Sequence, residues 1–232
     1  MDRRQQICAE FLRIDRVDPT EGPIISKHRL MAANPFRFMR GAASLFYADL
    51  RSGLLKLPAP LEHPRVHTCV MGDCHISNFG FFSEEGSHGD SIIFAPNDFD
   101  DACVGNACWD LLRYLLSLNL TVGYCQKIQS GELSSEDVTE PVDYIAASEL
   151  ELVQAQQVFL EEYVATCEEL ISDPKGRRKV VSRFPKAHVL RKFAQKARKR
   201  AAGGKHFSSK SALAKLITAV SYTHLTLPTT LS

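Results

Sequence analysis

Long apolar runs are missing from this sequence. Nothing in its 232 residues approaches the roughly 18 consecutive apolar residues that a membrane-spanning helix needs, so no membrane partner is expected. The opening stretch, Met1-Asp2-Arg3-Arg4-Gln5-Gln6-Ile7-Cys8, is too polar to be the apolar heart of a secretory signal, and a cytoplasmic location is expected. A charge excess is also missing. The 28 Lys and Arg residues against 27 Asp and Glu leave a net charge of +1, so global electrostatics selects neither nucleic acid nor an anionic surface. The seven cysteines contain no Cys-x-x-Cys pair, which argues against a structural zinc site. Their odd number, without an export signal, points to reduced thiols.

What is present is globular in composition. Hydrophobic residues make up 44% and charged residues 24%, which excludes a disordered tail, a collagen-like fibre or a low-complexity array. A chain this long buries about 70% of its unfolded surface and needs no disulfide or metal to fold. Helical spacing is expected over residues 2–14 (Ile7, Phe11, Ile14), stopped by Asp18-Pro19, with a loop over 15–28. A helix from Pro35 to Leu50 carries an apolar stripe of Phe38, Ala42, Leu45 and Phe46. Short strands at Val66–Met71 and Ser91–Ala95, with a turn at 84–89 between them, read as a small hairpin. A buried helix follows at Trp109–Ile128, then a linker over 130–142 and an amphipathic helix at Ala147–Ile171. Phe99 and Trp109 read as core residues. The fold class is therefore α+β, mostly α, with a short β-hairpin carrying the site.

Two stretches are set aside on composition. Residues 175–205 are strongly basic, but only Phe184, Phe193 and the nearby Phe207 interrupt the charge. That pattern reads as a solvated face, with no nucleic-acid partner expected. Residues 220–232, beginning Val220-Ser221-Tyr222-Thr223-His224-Leu225, resemble an in-frame translation of a sequencing-library adapter. They read as a non-native tail after a partial domain spanning 1–219, and the natural protein is expected to continue.

The chemistry concentrates in Gly72-Asp73-Cys74-His75-Ile76-Ser77-Asn78-Phe79-Gly80 and, about twenty residues on, Asn97-Asp98-Phe99-Asp100-Asp101-Ala102. Both segments border predicted strands. Phosphoryl transfer needs such a set: one carboxylate to take the nucleophile's proton, and an amide oxygen with a second carboxylate to hold Mg²⁺ on the phosphates. Hard oxygen donors suit Mg²⁺ or Mn²⁺ rather than zinc. The Asp73-x-x-x-x-Asn78 spacing fits a kinase catalytic loop, with Asp98-Phe99 in the place of the metal-binding Asp. Asp100 joins Asn78 and Asp98 as a candidate metal ligand. Arg29, Arg37 and Arg40 offer guanidinium forks for phosphate, and Arg40 precedes a glycine that lets the backbone come close. The plainer reading is that Asp73 and Asn78 are turn formers, that Asp100 and Asp101 complement a helix dipole, that a solvated helix face accounts for Arg37, and that His75 is a hydrogen-bonded scaffold.

These residues resemble the aminoglycoside phosphotransferase and choline kinase branch of the kinase-like fold. There a Gly-Asp-x-His-x-x-Asn loop precedes an Asp-aromatic-x-Asp-Ala segment. The sequence is closer still to a bacterial family, domain of unknown function 2252, through Arg29–Ala43, the two acidic segments and Trp109-Asp110-Leu111-Leu112-Arg113. The resemblance implies a kinase-like C-lobe-type helical domain in which Asp73 is the catalytic base and Asn78 and Asp98 hold the metal. His75, a candidate catalytic residue beside Asp73, and Asp110 would brace the loop. Two features depart from the kinase pattern: Met71 stands where relatives place His, and no Gly-x-Gly-x-x-Gly loop or strand lysine precedes residue 72. In the family a Gly-rich stretch and a Lys-Glu pair lie further along the chain. The expected activity is Mg²⁺-dependent phosphotransfer from ATP to a small-molecule or protein hydroxyl. The rivals are a metal-dependent phosphoesterase, built on Asp73-x-His75 and Asp98-x-x-Asp101, and a non-catalytic pseudoenzyme or interaction fragment.

Overall fold

The computed structural model describes residues 2–62, 67–83, 91–134, 145–211 and 214–215. The turn expected at 84–89, residues 135–142 of the expected linker and the adapter-like tail at 220–232 lie outside the described residues. The chain is mostly helical, with two small antiparallel sheets, and it divides into two compact units.

The first unit comprises residues 1–78 and 98–172. Helix α1 spans Arg3–Asp15 and opens with a capping box: the Asp2 carboxylate accepts from the Gln5 N–H, and the Gln5 side chain returns to the Asp2 N–H. It ends at Arg16, which adopts a left-handed conformation (φ 59°) and donates to the Leu12 carbonyl. The helix thus closes on its own C-cap before Asp18-Pro19 is reached.

A short helix, α2 (Ser26–Met31), begins within the last three residues of the segment expected to be loop, 15–28. Six residues are too few to be helical by propensity alone. Tertiary contacts fix this one. His28 stacks on Phe11 with centroids 5.1 Å apart, its Nε2 lies 2.8 Å from an Asp15 oxygen, and Met31 enters the core formed with Phe11, Ala42 and Leu45.

The single helix expected over 35–50 is two helices. Asn34 caps α3 (Pro35–Gly41), its side chain accepting from the Arg37 N–H at 2.8 Å. After a break at Ala42 (φ −118°, ψ 37°), α4 runs over Ala43–Ser52. Close packing marks the break: a Cβ on Gly41 would lie 2.5 Å from Met31 Cγ. The kink keeps α2 against the helix pair while Ala42 and Leu45 stay in the same core.

Strand β1 (His67–Val70) pairs antiparallel with a strand that was not anticipated, Cys103–Asn106, in a register from His67 opposite Asn106 to Val70 opposite Cys103. The expected pairing of 66–71 with 91–95 does not form. The Asn106 side chain caps the next helix, α5 (Ala107–Gln129), by accepting from the Cys108 N–H at 2.8 Å. The last helix of this unit, α6 (Glu149–Ser172), stacks Phe159 on Tyr114 of α5 with centroids 4.5 Å apart.

The second unit comprises residues 79–97 and 173 onward. Two strands inserted between the acidic segments, β2 (Phe79–Ser83) and β3 (Ile92–Pro96), pair antiparallel; with them in place, the 103–106 strand is β4. The hairpin of this chain is therefore β2–β3, and the expected strand at 91–95 finds its partner in 79–83. Phe81, Phe94 and Phe184 form an aromatic cluster, so Phe184 of the basic segment is a packing residue. Helices α7 (Arg191–Arg200) and α8 (Phe207–Lys210) complete the unit. Among the described residues no helix is long and apolar enough to cross a membrane.

Gly41→Ala tests the close contact at the helix break. Overpacking of this kind costs about 1–3 kcal/mol. Urea unfolding of the variant should show a lowered midpoint; an unchanged midpoint would mean that Met31 moves aside freely.

Candidate functional site

The acidic loop between β1 and β2 is held by one face of α5. That helix is apolar except for a few positions, and three of these, Asp110, Arg113 and Ser117, recur at helical spacing so that they share a side. All three reach the loop. Asp110 accepts from the backbone N–H groups of Met71 (2.7 Å) and Gly72 (3.2 Å). Arg113 pairs with the Asp73 carboxylate. The Ser117 hydroxyl accepts from the Ile76 N–H at 3.0 Å. The Tyr47 hydroxyl donates to the Gly72 carbonyl.

Glycine is required at 72. Its φ is +82°, and a Cβ there would lie 1.9 Å from the Asp101 carbonyl oxygen. The loop is thereby pressed against the second acidic segment.

Asp73 is bound at both carboxylate oxygens. Nη2 of Arg113 takes Oδ1, and His75 Nε2 lies 3.3 Å from Oδ2. Arg113 has no exposed surface and His75 is 1% exposed. His75 is therefore a buried orienting group, edge-on to the Phe36 ring at 5.8 Å. Asn78 is buried as well, and its Nδ2 donates to the Asp73 carbonyl at 3.0 Å, closing the loop on itself.

Asp98 has φ 61°, an uncommon conformation for a residue with a side chain. Strain of this kind persists only where the surroundings impose it, and it clusters at functional positions. Asp73 and Asp98 share a cavity of about 710 Å³ whose other walls include Lys27, Arg37, Arg40 and Gly41. Two carboxylates and three cationic side chains thus line one cavity, and Lys27 is also paired with Asp15, its Nζ 2.6 Å from Oδ1. Arg40 also lies over the Phe36 ring at 5.9 Å.

Not every anticipated residue reaches this cavity. Arg29 is exposed and is not among its lining residues; Lys27, two positions earlier on α2, takes that place. Asp100 is also absent from the lining, but its charge, like those of Asp73 and Asp98, is felt at Asp101. Phe99, read as core, is 55% exposed, because it occupies the turn closed by the Ala102 N–H on its carbonyl. Trp109 packs on Tyr47 with centroids 5.5 Å apart.

The neighbouring titrations follow from burial. Asp101 is pushed up, first by partial desolvation and then by the negative charges of Asp73, Asp98 and Asp100. Burial raises Asp110 too, against the pull of its two backbone N–H donors. The Cys74 thiol, buried in the loop, is pushed up to about 12 by desolvation, so it is a small filler rather than a nucleophile.

Mg²⁺ commonly binds through one or two carboxylates, its remaining positions being filled by water and substrate phosphates. Among the described residues no three His, Cys, Asp or Glu side chains are grouped to hold a metal ion, and Asp73 is already engaged by Arg113 and His75. Among the described residues, Asp98 is the carboxylate of the cavity lining with no hydrogen-bond or ion-pair partner. This donor set fits an ion delivered with phosphate oxygens, whose charge the cationic side chains would meet, and not a closed protein cage.

Arg113 is the residue that sequence reading missed as part of the site. A signal was available: a charged residue in a long apolar helix, one turn beyond an Asp and one turn before a Ser.

A family model described as "Uncharacterized protein conserved in bacteria (DUF2252)" matches residues 20–213. No curated protein and no solved structure matches the chain.

Asp101 gives a pH signature for the acidic cluster. Its carboxyl titrates higher in the folded chain than in the unfolded one, where Asp lies near 3.9. From about pH 4 upward the folded state therefore binds more protons, and this group's contribution to stability falls as pH rises through the window. Urea midpoints measured at pH 4 and 6.5 should show Asp101→Asn gaining on the unmodified chain as pH rises. Parallel pH profiles would show that Asp101 does not feel its neighbours.

Proposed function

The chain belongs to that family of proteins conserved in bacteria, and we propose that it acts as a Mg²⁺-dependent phosphotransferase, moving a phosphoryl group from ATP to the hydroxyl of a small molecule or protein. The observation that carries this reading is the shared cavity, lined by Asp73 and Asp98 together with Lys27, Arg37 and Arg40. Phosphoryl transfer relies on positioning and charge stabilisation more than on covalent chemistry from the protein, and a mixed acidic and basic wall supplies both.

In this reading Asp73 accepts the proton of the attacking hydroxyl. Each carboxylate oxygen has two acceptor sites, so the contacts with Arg113 and His75 leave room for a substrate hydroxyl while fixing the direction of the carboxylate. Arg113 and His75 are positioning residues. Asp98 holds the metal, with Asn78 and Asp100 as further candidates. Arg40, Arg37 and Lys27 bind phosphate oxygens. When bound, Mg²⁺ neutralises charge on the phosphates.

The test is consumption of ATP by the full chain with Mg²⁺ and a pool of small hydroxyl acceptors. Asp73→Asn should lower kcat by about 10²–10⁴-fold, the usual worth of a positioned general base, while Asp98→Ala should abolish Mg²⁺-dependent nucleotide binding and leave the far-UV circular dichroism unchanged. Full activity in both variants would overturn the assignment. Hydrolysis of a generic phosphate ester with Mn²⁺ and no ATP would point instead to a phosphoesterase.

A further inference from the structure

The second unit holds a cavity of its own, about 460 Å³ in volume and lined by Arg183, Phe184, Arg191, Ala194, Gln195 and Arg198. Three arginines share this hollow, and no carboxylate lines it. Arg191 and Arg198 stand seven positions apart on α7, so they lie on one side of that helix. The short, buried Ala194 falls between them. Arg183 comes from the extended segment whose Val181 carbonyl accepts from the Phe94 N–H of β3 at 2.7 Å.

Two of the three arginines are held in place by backbone. Nη1 of Arg191 donates to the Phe184 carbonyl at 3.2 Å, and Nη2 of Arg198 donates to the Ser182 carbonyl. A guanidinium has five N–H donors, so these contacts orient the groups and leave most donors available. Arg183 has no hydrogen-bond or ion-pair partner among the described residues. Arg183 and Arg198 are exposed and Arg191 is half-buried, so a ligand can reach all three. Counter-charge is scarce nearby in the chain. Asp173 is the only Asp or Glu from 173 to 215, and its carboxylate accepts from the Lys175 N–H at 3.1 Å. Cations gathered without a carboxylate make a local positive potential that concentrates anions.

We infer that this cavity binds the phosphate groups of a small, multiply charged phosphate compound, gripped by Arg183 and by the backbone-held Arg191 and Arg198. The planar guanidinium fork matches phosphate oxygens, and such charge-assisted bonds are about twice as strong as neutral ones. The volume falls in the range of small-molecule sites. Nucleic acid suits the cavity less well. Its one aromatic ring, Phe184, is packed by Phe81, Phe94 and His188 and is not a free platform for base stacking. The inference stands apart from the phosphotransfer reading, since it concerns binding at a different cavity in the other unit.

The experiment uses the full chain and inorganic pyrophosphate as the probe, in about 0.15 M salt, where distant surface charges are screened. Calorimetry and thermal unfolding are read without nucleotide or metal, so failure here leaves the phosphotransfer reading untouched. Pyrophosphate should bind with saturation and raise Tm. Arg183→Gln, which removes an exposed side chain that ties down no other residue, should weaken binding at least tenfold. Lys205→Gln removes the same charge from an exposed position outside the cavity and should change binding less than threefold. Three results would overturn the proposal: no saturable binding at millimolar pyrophosphate, equal loss in the two variants, or tighter binding of a short single-stranded oligonucleotide than of pyrophosphate. The first and the last do not depend on a variant that must fold.

Discussion

The ion pair between Arg113 and Asp73 is the contact on which the acidic loop depends. Arg113 is wholly buried, and the Asp73 side chain is 14% exposed. Taking two charges out of water costs several kcal/mol per ion, and the attraction between them offsets this only when the geometry is good and neighbours supply further bonds. Here the neighbours are the Met39 carbonyl, the Phe46 ring and His75. Once such a pair is built, losing either member costs about 3–5 kcal/mol, because the other is left as an uncompensated buried charge. The pair thus locks the direction of the Asp73 carboxylate to the position of α5. It also ties α5 to α3 and α4, where Met39 and Phe46 reside.

The rest of the loop follows from this lock. Asp110 and Ser117 bind it at backbone N–H groups on either side of Asp73, so α5 engages the loop at three points. The chain then leaves the first unit at Asn78, forms β2 and β3, and returns at Asp98 to the wall it left. A strand pair inserted at that point lets two carboxylates 25 positions apart face the same cavity. Gly72 makes the arrangement possible, since any side chain there would collide with the Asp101 backbone.

The acidic loop was legible in the sequence because its residue types are chemically distinctive. Asp73, Asn78 and Asp98 stand at spacings that ordinary turns do not require, and the same stretch carries the family likeness. The long helices were legible from periodicity, and the mostly helical α+β class with them. Strand pairing was not: Val66–Met71 showed that a strand was present, but β-branched alternation does not name its partner, and Phe79–Ser83 was hidden behind the motif it follows. The helix break at Ala42 depends on Met31 packing against Gly41, a tertiary contact that leaves no local mark. The replacement of Arg29 by Lys27 at the cavity has the same origin, because only the docking of α2 decides which of its side chains face inward. Arg113 was overlooked because an apolar helix invites a core reading, although its spacing from Asp110 and Ser117 marks a polar stripe.

In the proposed reaction, Asp98 and the cationic side chains of its cavity together hold a metal–phosphate complex beside Asp73. The most direct measurement is a crystal structure of the full chain grown with Mn²⁺ and a non-hydrolysable ATP analogue, with the ion located by its anomalous scattering. An ion is expected on the Asp98 carboxylate, with phosphate oxygens reaching toward Arg37, Arg40 or Lys27. An ion and phosphates bound elsewhere, with Asp98 free of both, would contradict it.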